Sequence, residues 1–240
     1  MKILEGKRLN VITAVIMSVL IVGVIAVCFA PSKAIHISGN NTYEPYYNGN
    51  RDGNKVALTF NVYEGASVVE KILTVLKDKS AKATFFVGGC WADENIDLVK
   101  KIISLGHEIG SHGYYHKDHK ILSESENLAE MQMLHTLIER ETGYKVTLFA
   151  PPSGSFSVTT LKVAENLGYK TIMWSKDTID WRDKSSKTVY NRATRNVCGG
   201  DIILMHPKEH TLNALYDILE YYQKNGLVCA TVSECLRKNG

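Results

Sequence analysis

Residues 106–119 read GHEIGSHGYYHKDH. A glycine stop is followed by a short apolar run, His107–Ile109, and then by a polar loop; four of the chain's eight histidines lie in this stretch. Two of them, His112 and His116, are four residues apart. A neutral imidazole is a good ligand for a borderline metal such as zinc, and a pair at this spacing can point at one ion. A polar surface loop rich in histidine has the same composition. Position separates the two readings, because the pair follows a strand-like run, and strand-end loops are where α/β folds put their chemistry.

On either side of this loop the pattern alternates. Lys55–Phe60 reads as a strand. Ala66–Lys77 reads as a helix, with Val68, Val69, Ile72, Leu73 and Leu76 on one face. Ala83–Val87 is a strand and Asn95–Leu105 a helix stopped by Gly106. Ser123 to Glu126 form a capping box that opens a long helix ending near Thr142 and Gly143. Lys145–Ala150, Tyr169–Trp174, Asp201–Met205 and Leu227–Ala230 are strands. Val158–Leu167, Lys187–Val197 and Thr211–Asn225 are helices, and a short helix starts at Ser233. Sustained strand–helix alternation predicts an α/β fold with a parallel sheet, closed or nearly closed into a barrel.

The unusual residues fall on the loops after the strands: Asn61–Gly65, Gly88–Trp91, His112–His119, Pro151–Phe156, Ser175–Trp181 and His206–His210. Core packing gives no reason for that convergence. Asp201–His206 (DIILMH) sets a histidine at the end of an apolar strand. A nearby aspartate, for which Asp180 is a candidate, would favour its imidazolium and make it a usable general acid. A satisfied core histidine would look the same. Pro151-Pro152-Ser153-Gly154 is a rigid turn whose Ser153 N–H could face an oxyanion, or simply a loop. Trp91, Tyr114, Tyr115 and Trp181 offer flat faces to a sugar.

The chain has 240 residues, 45% of them hydrophobic and 22% charged, with a formal charge of +3. Lys2, Lys7 and Arg8 against Glu5 supply most of that charge. The remainder is near neutral and carries no basic stripe, which argues against nucleic acid as a partner. Residues 9–30 are uncharged and long enough to cross a bilayer, which takes ~20 apolar residues. With positive charge before them, they predict a single-pass anchor with residues 1–8 in the cytoplasm and the domain outside the cell membrane. Residues 31–53, rich in Asn, Gly, Tyr and Pro, read as a linker, and 54–240 as the domain. Besides Cys28 there are Cys90, Cys198, Cys229 and Cys235, whose spacings match no zinc or redox motif.

Taken together, LTFNV, ATFFVGG, GHEIGSHG, SHGYYH, FAPPSG, DTIDW and ILMH, in that order around the chain, resemble the polysaccharide deacetylase (NodB-homology, carbohydrate esterase family 4) domain. The similarity runs from about Asn54 to Arg237 and is greatest to membrane-anchored sporulation-type members. It implies a distorted (β/α) barrel and metal-assisted removal of acetyl groups from amino sugars. In the family one aspartate and two histidines hold zinc or another divalent ion. An aspartate base helps water attack the acetyl carbonyl, and a histidine returns the proton to the leaving amine. Carried over by position, His112 and His116 match the metal histidines, His206 the general acid, Asp180 the carboxylate that tunes it, and Ser153 N–H the oxyanion donor. Pro152, Trp91, Tyr114, Tyr115 and Trp181 would contact substrate.

Four positions depart from the family, one of them Ser153, where a tyrosine often follows Pro-Pro. The base aspartate is Asn61, which cannot take a proton from water. The metal aspartate is Val62, which cannot ligate. The arginine that holds the base is Ala150. The losses fit one another, because a guanidinium left without its carboxylate would be a buried unpaired charge. Glu64 or Asp118 could replace the missing carboxylate, Glu64 as third ligand or as base. The sequence therefore predicts a deacetylase-like hydrolase of peptidoglycan or a related acetylated glycan with weakened catalysis; the alternative is an inactive glycan-binding pseudoenzyme. It does not specify the oligomeric state.

Overall fold

The computed structural model describes residues 43–237 and, apart from them, Met17 alone. Apart from Met17, the expected membrane span at residues 9–30 lies outside the described residues, as does the first part of the expected linker. Among the described residues no helix is long and apolar enough to cross a membrane.

Among the described residues, eight parallel strands make the sheet: β1 (Lys55–Val62), β2 (Thr84–Val87), β3 (Glu108–Ser111), β4 (Leu148–Phe149), β5 (Lys170–Thr171), β6 (Lys176–Asp177), β7 (Ile202–Met205) and β8 (Val228–Ala230). Their order is β5-β4-β3-β2-β1-β7-β6, with β8 paired to the start of β1. The helices are α1 (Ala66–Asp78), α2 (Gly89–Glu94), α3 (Ile96–Ser104), α4 (Glu124–Thr142), α5 (Val158–Asn166), α6 (Ser186–Thr194), α7 (Glu209–Lys224) and α8 (Val232–Leu236).

Period-two alternation divides β1 between two cores. Val56, Leu58, Phe60 and Val62 join the apolar cluster under the helices, with Ile72, Leu73 and Leu76 of α1. Ala57 belongs to a second, smaller cluster inside the curved sheet, with Phe86, Ile172 and Ile202. Thr59 and Asn61 share Ala57's face, so Asn61 ends β1 pointing inward. Both faces are covered, and for that reason the central strands read as unbroken apolar runs.

The sheet is a half-barrel of parallel strands. The expected strand Tyr169–Trp174 is shortened to the two residues of β5, and β6, also two residues, forms inside the expected loop Ser175–Trp181; the two do not pair with one another. The end of the expected linker lies across this opening. Tyr46 N–H donates to Thr171 O and its carbonyl accepts from Met173 N–H, both at 2.8 Å, and Gly49 N–H donates to Gly200 O at 2.7 Å. Arg51 is fastened to Asp201 by a 2.7 Å ion pair. The folded unit therefore begins before residue 53. Isolated bridges, rather than a paired strand, hold this segment, so it has no periodicity to read. Cys90, Cys198, Cys229 and Cys235 are free thiols.

Candidate functional site

The strand ends bring the three imidazoles together. β3 delivers His112, and the loop turns back through Gly113 and His116, both at left-handed φ (72° and 56°). The His112 and His116 rings lie 5.0 Å apart. β7 delivers His206, whose neighbour Met205 is in register with Phe60, so His206 stands beside Asn61 on the inner face. The Tyr63 ring lies among all three, 4.5 Å from His116 and 6.4 Å from both His112 and His206, centroid to centroid. His116, Ser153 and Ile179 are all non-glycine residues at positive φ on this rim. Strain of that kind collects at sites that the surrounding structure over-determines.

Asp180 accepts the backbone N–H and the Nδ1 proton of His206 and the hydroxyl of Thr211, each at 2.7 Å. Burial pushes its carboxyl up, but the bonds and charge of His206 and the Thr211 hydroxyl outweigh burial and hold it below the usual carboxylate range. His206 is thus fixed with Nε2 free toward the cleft. His112 is fixed on the opposite wall, its Nδ1 donating to the Ala150 carbonyl at 2.8 Å. Its Nε2 is left as a bare acceptor.

The histidine loop rests on a buried carboxylate that the motifs do not include. Glu130 on α4 accepts the N–H groups of Tyr114 and Tyr115 at 2.9 and 2.8 Å and faces Lys117 Nζ at 3.4 Å. Asn127, one turn earlier, holds His119 Nδ1 at 2.7 Å. Both residues occupy apolar-face positions of α4, among Met131, Leu134 and Ile138. Charged or amide side chains in that register were the available signal. Tyr63 directly follows the first motif and is not part of it.

Several expected contacts are corrected. Trp91 is 6% exposed and packed in the outer cluster, because the loop read after β2 is in fact helix α2, which turns the indole inward. Tyr114 lies over α2; a Cβ on Gly89 would come within 2.1 Å of its ring. Pro152 is buried beside Gly113. Ser153 is exposed at the turn. Tyr115 and Trp181, 53% and 55% exposed, remain free aromatic faces. Glu64 is exposed and paired with Lys208, so it is not a third ligand. Asp118 is also exposed and bonded to Lys120 N–H and the Ser155 side chain.

These placements decide whether a metal fits. His112 and His116 supply two donors, His206 is not grouped with them as a third, and a structural or catalytic zinc needs at least three from the protein. Position 62 is a valine buried in the outer apolar cluster. Among the described residues no three His, Cys, Asp or Glu side chains are grouped to hold an ion. The residues present do not fit a three-ligand metal centre.

Burial also makes the imidazoles sensitive to acid. His112 is pushed down to about 3 by burial and then by the charge of His116, and His107 to about 4 by burial and Lys82. Burial lowers His116 and His119 too. In the unfolded chain each titrates near 6.5. Below roughly pH 6.5 the unfolded chain therefore binds more protons, and stability falls as the pH drops toward 4. The urea midpoint should decline steadily from pH 7 to 4.5. A midpoint that stays flat to pH 4.5 would contradict this account.

A family model described as polysaccharide deacetylase matches residues 48–172. The chain is 37% identical to the protein YlxY of Bacillus subtilis (strain 168) over 193 residues, 80% of this chain and 60% of that one. It thus spans less than two thirds of that relative. It is 31% identical to a peptidoglycan-N-acetylglucosamine deacetylase of Bacillus cereus over 193 residues, 76% of this chain and 88% of that one. A crystal structure of a CE4 family pseudoenzyme from Bacillus anthracis superposes with a TM-score of 0.79 at 37% identity, covering 82% of this chain and 70% of that one. A mutant of that pseudoenzyme with restored enzymatic activity also gives 0.79, at 35% identity over 82% and 72% of the two chains.

Proposed function

The chain belongs to the polysaccharide deacetylase family, and from that premise we propose that it binds an acetylated or partly deacetylated amino-sugar glycan of the peptidoglycan type, with hydrolysis weak or lost. Residues 9–30 would hold it at the cell membrane with the domain outside. The observation that carries this reading is Asn61. It stands, 4% exposed, at the position of the proton acceptor, with its Oδ1 unpartnered, and neither Glu64 nor Asp118 replaces it.

The two halves of the chemistry are unequal. Asp180 holds His206 in one orientation through its Nδ1 and its backbone N–H, so the acid side of the family's machinery is positioned. On the other side, the Asn61 carboxamide cannot accept a proton from water, and losing a general base typically costs ~10²–10⁴ in rate. A second reading, a slow deacetylase, is favoured by the intact His206–Asp180 pair. The similar proteins support both readings, since they include a peptidoglycan-N-acetylglucosamine deacetylase and a CE4 family pseudoenzyme.

The test measures three quantities on the purified chain: glycan affinity, acetate release from N-acetylated glycan, and zinc content. We expect stoichiometric glycan binding, zinc well below one per chain and acetate release at background. Acetate release that requires bound zinc and is abolished by His112→Ala would establish the second reading instead.

A further inference from the structure

The wall where the family's ion would sit carries two acceptor atoms without donors and an aromatic face. His112 Nε2 is a bare acceptor because its Nδ1 proton is given to Ala150 O at 2.8 Å. Asn61 Oδ1 is buried with no partner. β1's alternation turns it inward, and register sets it beside His206 on one side and Phe86 on the other. Tyr63, 40% exposed, offers its ring between the imidazoles. Lys208, two residues after His206, is neutralised by Glu64, and the Asp180 carboxylate lies behind His206. A buried acceptor without a donor is costly, so the ligand that best satisfies this wall brings N–H groups and positive charge.

A divalent ion is poorly served here, as the donor count shows. An acetamido group brings one N–H, together with a carbonyl that itself needs a donor. A primary ammonium brings three N–H groups and is attracted to an aromatic face. We infer that this cleft selects an amino sugar with a free amine, the product of de-N-acetylation, over its acetylated form. The inference rests on the glycan-binding reading above and names its ligand. It also places the protein downstream of a reaction that removes acetyl groups from the same polymer. The chain's own charge is +3, so bulk attraction is not the source of such a preference.

Isothermal titration of the full-length chain with chitotetraose and with its fully de-N-acetylated counterpart, at neutral pH and one ionic strength, tests this. The de-N-acetylated oligomer should bind about tenfold tighter or more. Tyr63→Ala should remove most of the preference, as should Asn61→Leu. Because Tyr63 is a surface residue, its variant keeps the test open if the buried Asn61 variant fails to fold. Equal or tighter binding of chitotetraose would overturn the inference while leaving glycan binding intact. An unchanged preference in Tyr63→Ala would also overturn it, as would one tightly held zinc per chain. Binding of neither oligomer would overturn the glycan-binding reading and this inference together.

Discussion

An Asn61→Asp, Val62→Asp variant should release acetate from N-acetylated oligosaccharides about 10²–10⁴ times faster than the parent chain. Asparagine and aspartate are nearly the same size, so the first change puts a proton acceptor where the carboxamide now stands, beside His206 on the inner face of the sheet. The second supplies the carboxylate that the metal centre lacks, but Val62 faces the outer cluster, so it acts as a third donor beside His112 and His116 only once the last residue of β1 turns inward. Both changes have a cost. Position 61 is buried, and Ala150 offers no guanidinium, so the new carboxyl will titrate above the ordinary carboxylate value. Acetate release should therefore keep rising with pH well past the range of an exposed aspartate. Val62 lies in the apolar cluster under the helices, and a carboxylate there destabilises by a few kcal/mol until it is satisfied. Asn61→Asp alone should accordingly be assayed alongside, with circular dichroism on both. If both variants fold and neither releases acetate above the parent, the cleft no longer admits the family's substrate.

The architecture was readable because parallel strands covered on both faces leave long apolar runs. KVALTF and DIILM are β1 and β7 almost to the residue. The His112–His116–His206 meeting was readable for a related reason, since all three follow strands that end on the same rim. Legibility failed where tertiary contacts decide the conformation. Residues 46–50 are held by single bridges to β5 and to the residues before β7, which leave no pattern in the segment itself. Trp91 has the look of a sugar platform, but the six-residue helix α2 turns it into the core. Glu130 is the opposite case, a charge on an apolar helix face whose purpose appears only when the N–H groups of Tyr114 and Tyr115 are found pointing at it. Tyr63 has no signal of its own, because its role depends on three rings from two other strands.

Asp180→Ala should lower stability by about 3–5 kcal/mol, the usual cost of removing one partner of a buried pair. For a domain of this size that is a fall in Tm of roughly 10 °C or more. Three donors lose their acceptor at once: the N–H and Nδ1–H of His206 and the hydroxyl of Thr211, all at 2.7 Å and all buried. Water cannot readily replace the carboxylate, since its side chain is fully buried. The same carboxyl gives the effect a pH signature. Its folded pKa lies below the ordinary value, so its contribution is complete above the unfolded carboxylate range and is lost as the pH falls through the folded pKa. The gap between parent and Asp180→Ala should therefore stay constant from pH 7 to 5 and close only below about 4. Glu64→Ala is the control, since its pair with Lys208 is exposed and should be worth no more than ~1 kcal/mol. If Asp180→Ala melts within a few degrees of Glu64→Ala, the carboxylate is not what holds His206 in place, and the site keeps no positioned acid.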